Sequence, residues 1–158
     1  MANPLISELK KAFTGWFIPY RFNLEKWAYA LQRISGIAVT GYFLAHIVET
    51  GNVVGGLAVW APTSTAMAND IWTATLQFLD NPLFDTGLIV IGFMLSFHTI
   101  NGIRLTLTEF GLLQGKPSRP DFPYEPKSFS KPQRALFWIS ILFAASTAVY
   151  AFHILFGA

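Results

Sequence analysis

The sequence contains no cysteine and few charged residues. The absence of cysteine excludes disulfide bonds, thiolate catalysis, and iron–sulfur or zinc sites with cysteine ligands. Lysine, arginine, aspartate and glutamate make up only 13% of the 158 residues, whereas 53% are hydrophobic and 16% are aromatic. This composition is typical of an integral membrane protein and not of a soluble domain of the same length.

Basic residues are missing from one long loop, and their positions predict an orientation in the membrane. All 11 lie either at or before Arg33 or between Arg104 and Arg134, and residues 51–84 contain none. The positive-inside rule therefore places the N-terminus on the cytoplasmic or matrix side and the C-terminus outside. Because the formal charge of +2 is explained by topology, we expect no nucleic-acid partner.

Three apolar runs predict membrane-spanning helices over about residues 27–48, 83–110 and 135–156, each long enough to cross about 30 Å of hydrocarbon. Residues 4–17 have apolar positions on one helical face and predict an amphipathic helix at the membrane surface or against a soluble partner. The predicted fold is therefore an all-α integral membrane protein with three transmembrane helices and an N-terminal interfacial amphipathic helix. We expect residues 1–158 to form a single membrane-anchor domain.

The segments between the spans have different compositions. Residues 51–84 are too broken for another span, and Asn69 or Asp70 is predicted to cap a short helix at the membrane surface. Residues 115–133 contain prolines at 117, 120, 123 and 126, a spacing that predicts an extended cytoplasmic segment.

Two histidines lie within the predicted spans, where titratable side chains are costly and are candidates for function. His98 lies six residues before Arg104, about 9 Å along the helix, and is therefore in the inner half of the membrane. His46 lies about 20 Å beyond Arg33 on the first span and is in the outer half. Their offset of about 10 Å is unsuited to one shared iron, so each is predicted to supply one ligand opposite a partner subunit. The alternative for His98 is a hydrogen bond to a neighbouring helix.

Other polar groups near the membrane edges are less specific. Arg33 and Arg104 could hold haem propionates or quinone carbonyls, or could reach lipid phosphates. His153, at the outer interface, is predicted to be an ordinary interfacial side chain. With so few polar groups, the chain is expected to be a non-catalytic subunit of a larger enzyme.

Two motifs resemble a known family. Residues 31–36, LQRISG, resemble the HR-x-(S/T)-G signature that opens the first span of the cytochrome b membrane anchor of succinate dehydrogenase. Residues 98–104, HTINGIR, resemble the H-x-x-x-G-I-R signature of the second span in the same family. The number of spans, the orientation and the chain length also agree with this succinate dehydrogenase and fumarate reductase family.

The resemblance implies roles for several residues. It makes His98 an axial ligand of haem b, and it places Arg33 near the quinone site and a haem propionate. Gly102 is the glycine of the second motif, and its small size also permits close approach of a helix or a flat cofactor. Relatives with two haems use a first-span histidine for the outer haem, which implies the same role for His46. Tyr29 stands where ubiquinone-reducing members have a quinone-binding serine.

The sequence also departs from the family pattern. Three residues differ from those usual at their positions: Gln32 for histidine, Leu105 for histidine and Glu109 for aspartate. These differences leave the details of a transferred quinone site open.

The function implied by the resemblance is that of a membrane anchor in a succinate:quinone oxidoreductase or fumarate reductase. The chain would bind one or two b haems and contribute to the quinone site. Its partners would be a flavoprotein subunit, an iron–sulfur subunit docked on the proline-rich segment, a second membrane-anchor subunit and the lipid bilayer. The membrane would be a bacterial or archaeal plasma membrane or the mitochondrial inner membrane. The alternatives are the cytochrome b anchor of another redox enzyme, such as a hydrogenase or formate dehydrogenase, and a haem-free scaffold or small transport subunit.

Overall fold

The computed structural model describes residues 5–9, 24–54, 64–114 and 129–157, and every regular element in these ranges is helical. The four long helices, in chain order, are α1 (Leu24–Val54), α2 (Thr65–Leu79), α3 (Pro82–Glu109) and α4 (Lys131–Phe156). Residues 5–9, within the predicted interfacial helix, are also helical. The rest of that helix and residues 115–128 of the proline-rich segment lie outside the described residues.

Side-chain caps set the starts of three helices. The Asn81 side chain accepts from the Leu83 N–H at 2.9 Å, and Pro82 occupies the first turn of α3, where its missing N–H costs nothing. Ser130 and Gln133 form a reciprocal capping box at α4. Helix α4 therefore starts at Lys131, whereas the sequence predicted an extended segment as far as residue 133.

Helix α2 begins earlier than predicted. Its N-cap is Ser64, whose side chain accepts from the Met67 N–H at 3.2 Å. Asn69 and Asp70, the predicted caps, lie inside the helix. The apolar spacing is compatible with several starts, and the earlier one is favoured because Ser64 satisfies an otherwise unpaired backbone donor.

Helices α1 and α4 pack against α3, which makes its most extensive contact with α4, whereas α2 contacts α1. The buried apolar cluster contains Ala28 of α1, Phe97 of α3, and Phe137 and Ala144 of α4. The Phe97 and Phe137 rings meet edge to face with centroids 6.2 Å apart, a favourable aromatic geometry. Helix α3 is thus fixed between α1 and α4, and its polar residues are positioned by both.

Helices α3 and α4 are long and apolar enough to span a membrane. By the same test α1 is not among the candidate spans, although it is the longest of the four at 31 residues. Its first half carries polar side chains, among them Gln32, Arg33 and Ser35, that lower its hydropathy. Large apolar side chains are exposed along all three of these helices, as expected for surfaces that face lipid or other membrane subunits.

Candidate functional site

His98 of α3 lies against Gly36, the glycine of the first motif, on α1. A Cβ built on Gly36 would be 2.9 Å from His98 Cε1, so any side chain at position 36 would require the imidazole to shift. The absence of a side chain at Gly36 therefore makes room for the imidazole. At Gly102, by contrast, a Cβ would meet Gln32 Nε2 at an ordinary 3.7 Å. The tight contact between α1 and α3 is thus at Gly36, and the close approach of a cofactor at Gly102 stays a prediction.

The hydrogen bonds of His98 determine which ring nitrogen carries the proton. Its Nδ1 lies 3.1 Å from the Gln32 carbonyl oxygen and 3.1 Å from Ser35 Oγ. Because a carbonyl oxygen only accepts, Nδ1 carries the proton and donates it. With Nδ1 engaged in this way, Nε2 is the ring nitrogen left to bind a metal. The hydrogen bond to a neighbouring helix, predicted as the alternative to metal binding, is therefore present, and it is compatible with a metal ligated by Nε2.

An apolar groove of about 750 Å³ opens beside His98. Besides His98, its lining includes Gly36, Ile37, Thr40 and Leu44 of α1. Ile37 is 63% exposed and Leu44 is 61% exposed, so the groove lies at the surface of the chain. We call it the His98 groove. A flat apolar cofactor with one imidazole ligand matches its chemistry.

A second, more polar cavity of about 670 Å³ adjoins the groove, and Gln32 and Arg33 line both. We call it the polar cleft. Its lining also includes Tyr29, Arg104 and Glu25. The Arg33 guanidinium carbon lies 4.2 Å from the centroid of the Tyr29 ring, a cation–π contact. The cleft thus combines two cations with hydrogen-bonding groups beside an apolar groove.

Arg104 is held firmly within the cleft wall. It is only 3% exposed, and its Nε donates to Asn101 Oδ1 at 2.8 Å. The Phe129 ring packs against it with 4.5 Å between the guanidinium carbon and the ring centroid. Such burial excludes the predicted alternative in which Arg104 extends to lipid phosphates.

The structure keeps His46 and His98 apart, as the depth estimate predicted. His46 follows Gly36, the neighbour of His98, by ten residues, or about 15 Å along α1. Its exposed ring stacks on Tyr42 with centroids 5.7 Å apart and planes inclined by 9°. His153 is exposed near the end of α4. Five of the predicted residues, Tyr29, Arg33, His98, Gly102 and Arg104, are gathered in one region, and His46 lies outside it.

Several residues of this region were not predicted from the sequence. The Glu25 carboxylate accepts from the Phe129 N–H at 2.7 Å and so joins the start of α1 to the segment before α4. Gln133 donates to Thr108 Oγ1 at 3.2 Å. Asn101 follows His98 by three residues and precedes Arg104 by three, a spacing that places all three on one helical face and could have identified it. Glu25, Gln133 and Phe129 have no comparable signal in the sequence, because the fold alone brings them to the cleft.

The described residues contain no group of three or more histidine, cysteine, aspartate or glutamate side chains suited to a bare metal ion. A haem is a different case, because its porphyrin supplies four ligands and the protein only the axial ones. The oriented His98 ring, the apolar groove and the neighbouring arginines fit that requirement.

Comparison with known proteins gives one result. A family model described as succinate dehydrogenase/fumarate reductase transmembrane subunit matches residues 17–149. No curated protein and no solved structure matches the chain significantly.

Proposed function

This chain belongs to the family of succinate dehydrogenase/fumarate reductase transmembrane subunits, and we propose that it is the cytochrome b anchor of such a complex. It is an integral membrane protein. In the proposed function, His98 holds haem b in the His98 groove and the polar cleft receives the quinone. The observation that carries the proposal is the His98 ring, whose Nδ1 is hydrogen-bonded to α1 and which lines an apolar groove.

The residues around His98 would hold the ring in place for binding. Bound haem supplies a one-electron carrier between the iron–sulfur subunit and the quinone. The Gln32 carbonyl fixes the tautomer and rotation of the imidazole, and Ser35 adds a second contact at the same nitrogen. Arg33, which lines both cavities, can pair with a carboxylate at the boundary between them.

The polar cleft would bind the quinone headgroup. Arg33 and Arg104 supply hydrogen-bond donors for the carbonyl oxygens, and Tyr29 adds an aromatic face and a phenol. Complete reduction of a quinone takes two electrons and two protons. The cleft lies at the end of α1 and α3 that the basic residues assign to the cytoplasmic or matrix side, from which those protons would come.

We further propose that α1 crosses the membrane as a third span, with the N-terminus inside and the C-terminus outside. At 31 residues it is long enough to do so, and its second half exposes apolar side chains, including Leu44, Ile47 and Val48. In this arrangement His46 ligates a second haem in the outer half of the membrane. The exposure of its ring leaves it accessible to a cofactor shared with another subunit.

The remaining partners follow from the same proposal. The His98 groove is open at the surface, so a second membrane-anchor subunit would form its other wall and supply the second axial ligand. A flavoprotein and an iron–sulfur subunit would dock on the cytoplasmic side, with the proline-rich segment of residues 115–133 contributing to the contact.

Purification of the complex through an affinity tag on this chain tests the proposal. We expect a flavoprotein and an iron–sulfur subunit to copurify in equal amounts with it, and the purified complex to reduce a short-chain quinone with succinate. Membranes that carry the untagged chain provide the control. Recovery of the chain with a different redox enzyme, or without any flavoprotein, would contradict the proposed function.

A further inference from the structure

A chain of amide hydrogen bonds connects α1 and α3 beneath the polar cleft. Arg104 Nε donates to Asn101 Oδ1 at 2.8 Å, and Asn101 Nδ2 donates to Gln32 Oε1 at 2.7 Å. Gln32 Nε2 then donates to the His98 backbone carbonyl at 3.3 Å. The same Gln32 accepts the His98 Nδ1 proton at its own backbone carbonyl. One residue of α1 therefore contacts both the imidazole and the group that holds Arg104.

The chemistry of the side chains fixes the donor and the acceptor in each of these hydrogen bonds. A guanidinium has only donors, so the atom of Asn101 that faces Arg104 must be its oxygen. The Asn101 amino group must then face Gln32 Oε1, and the Gln32 amino group must face the His98 carbonyl. Asn101 is fully buried, with both its oxygen and its nitrogen hydrogen-bonded. No other orientation of either amide satisfies all three contacts.

The bonds of Arg104 leave two donor groups for a ligand. Nε is taken by Asn101, and Phe129 covers the guanidinium carbon. Within the described residues, the two terminal amino groups have no hydrogen bond and no ion pair, although Arg104 lines the cleft. A buried guanidinium whose terminal amino groups lack acceptors is costly. The arrangement suits a ligand whose oxygen accepts hydrogen bonds from a guanidinium already held in position.

We propose that Asn101 and Gln32 are positioning residues that hold the Arg104 guanidinium in the polar cleft for an oxygen acceptor of a bound ligand. The inference rests on the proposed function for the identity of that ligand, which is a quinone carbonyl or a haem carboxylate. Asn101 is fully buried, and although Gln32 lines both cavities, its amide nitrogen and oxygen are bonded to the His98 carbonyl and to Asn101. Each amide therefore acts through Arg104, and its substitution is expected to have little effect on ligand binding once Arg104 is gone.

A double-mutant cycle in the full complex tests this dependence. Asn101→Leu keeps the approximate volume and removes both hydrogen bonds, Gln32→Met interrupts the chain one step further away, and Arg104→Gln removes the cation. We expect Asn101→Leu to raise the equilibrium dissociation constant of a short-chain quinone about tenfold, and Gln32→Met to raise it less. In the Arg104→Gln background, adding either Asn101→Leu or Gln32→Met should raise the quinone dissociation constant by less than about twofold.

The midpoint potential of the haem is measured on the same variants to distinguish the two ligands. A weaker quinone affinity identifies the quinone oxygen, whereas a shifted potential at unchanged quinone affinity identifies the haem carboxylate. Either change, if it disappears in the Arg104→Gln background, supports the positioning role. Thr99→Val is the matched control, because the Thr99 hydroxyl is exposed and donates to its own helix at Leu95 O.

Two results would overturn the inference, and a third bears on the proposed function. Effects of Asn101→Leu and Gln32→Met that simply add to that of Arg104→Gln would mean that the amides act independently of Arg104. Failure of both amide variants to assemble would assign the hydrogen bonds to folding. If Arg104→Gln alone changes neither quinone affinity nor potential, the placement of the ligand in the cleft is wrong as well.

Discussion

Substitution of His98 by leucine is expected to remove one b-type haem completely from the assembled complex. Leucine fills much of the imidazole volume but has no nitrogen to bind iron, so the variant loses the axial ligand without leaving a large cavity. It also loses the hydrogen bond of the single Nδ1 proton, which lies between Gln32 O and Ser35 Oγ, at a cost of about 1 kcal/mol. Because α3 remains packed on α4 through Phe97 and Phe137, we expect the subunit still to assemble.

The measurement is the haem content and the reduced-minus-oxidised spectrum of the purified variant complex. His153→Leu is the matched control, because it makes the same change at an exposed position near the end of α4. Its spectrum should equal that of the wild type. Normal haem content in an assembled His98→Leu complex would refute the assignment of His98 as a ligand.

Substitution of Gly36 by alanine is expected to disturb the same haem although the proposed ligand, His98, is itself unchanged. In a helix this change ordinarily stabilises by about 0.5–1 kcal/mol. At Gly36, however, the added methyl would lie 2.9 Å from His98 Cε1, so the imidazole must move from its position. We expect a lower haem content or a shift of at least tens of millivolts in the midpoint potential, because the ring orientation tunes the ligand.

The control for this prediction is Gly87→Ala on α3. A Cβ at Gly87 would meet nothing within 4 Å, so this substitution measures only the effect of replacing glycine by alanine within a helix. We expect the Gly87 variant to retain the wild-type spectrum and to be more stable by about 0.5–1 kcal/mol. An identical spectrum for Gly36→Ala would show that the His98 ring can adjust without consequence for the haem.

The positions of the long helices could be predicted well because long apolar runs admit few other structures. Helix α3, Pro82–Glu109, matches the predicted span of 83–110 closely. The predicted starts of α2 and α4 were less accurate, since they depend on which of several polar side chains captures a backbone donor. Ser64 and Ser130 do so, and a sequence pattern does not distinguish them from neighbours such as Asn69.

The site could be predicted in part. The depth estimate separated His46 from His98 because the rise of a helix depends only on residue number. The role of Gly36 could not be predicted, since it depends on how closely two helices approach. Asn101 and Gln32 were likewise missed as a pair, because residues 69 positions apart in the chain become neighbours only through packing. Gln32, noted as a departure from the family pattern, is one of two residues, with Arg33, that line both cavities.

The most direct test of haem binding by this anchor is a succinate-reduced minus oxidised visible spectrum of the wild-type complex, with haem quantified per chain. We expect b-type bands that develop on addition of succinate, at two haems per chain, one lost with His98→Leu and the other with His46→Leu. A single haem, lost only with His98→Leu, would remove the ligand role of His46 alone. The absence of any b-type band would contradict haem binding by His98 and favour a haem-free scaffold.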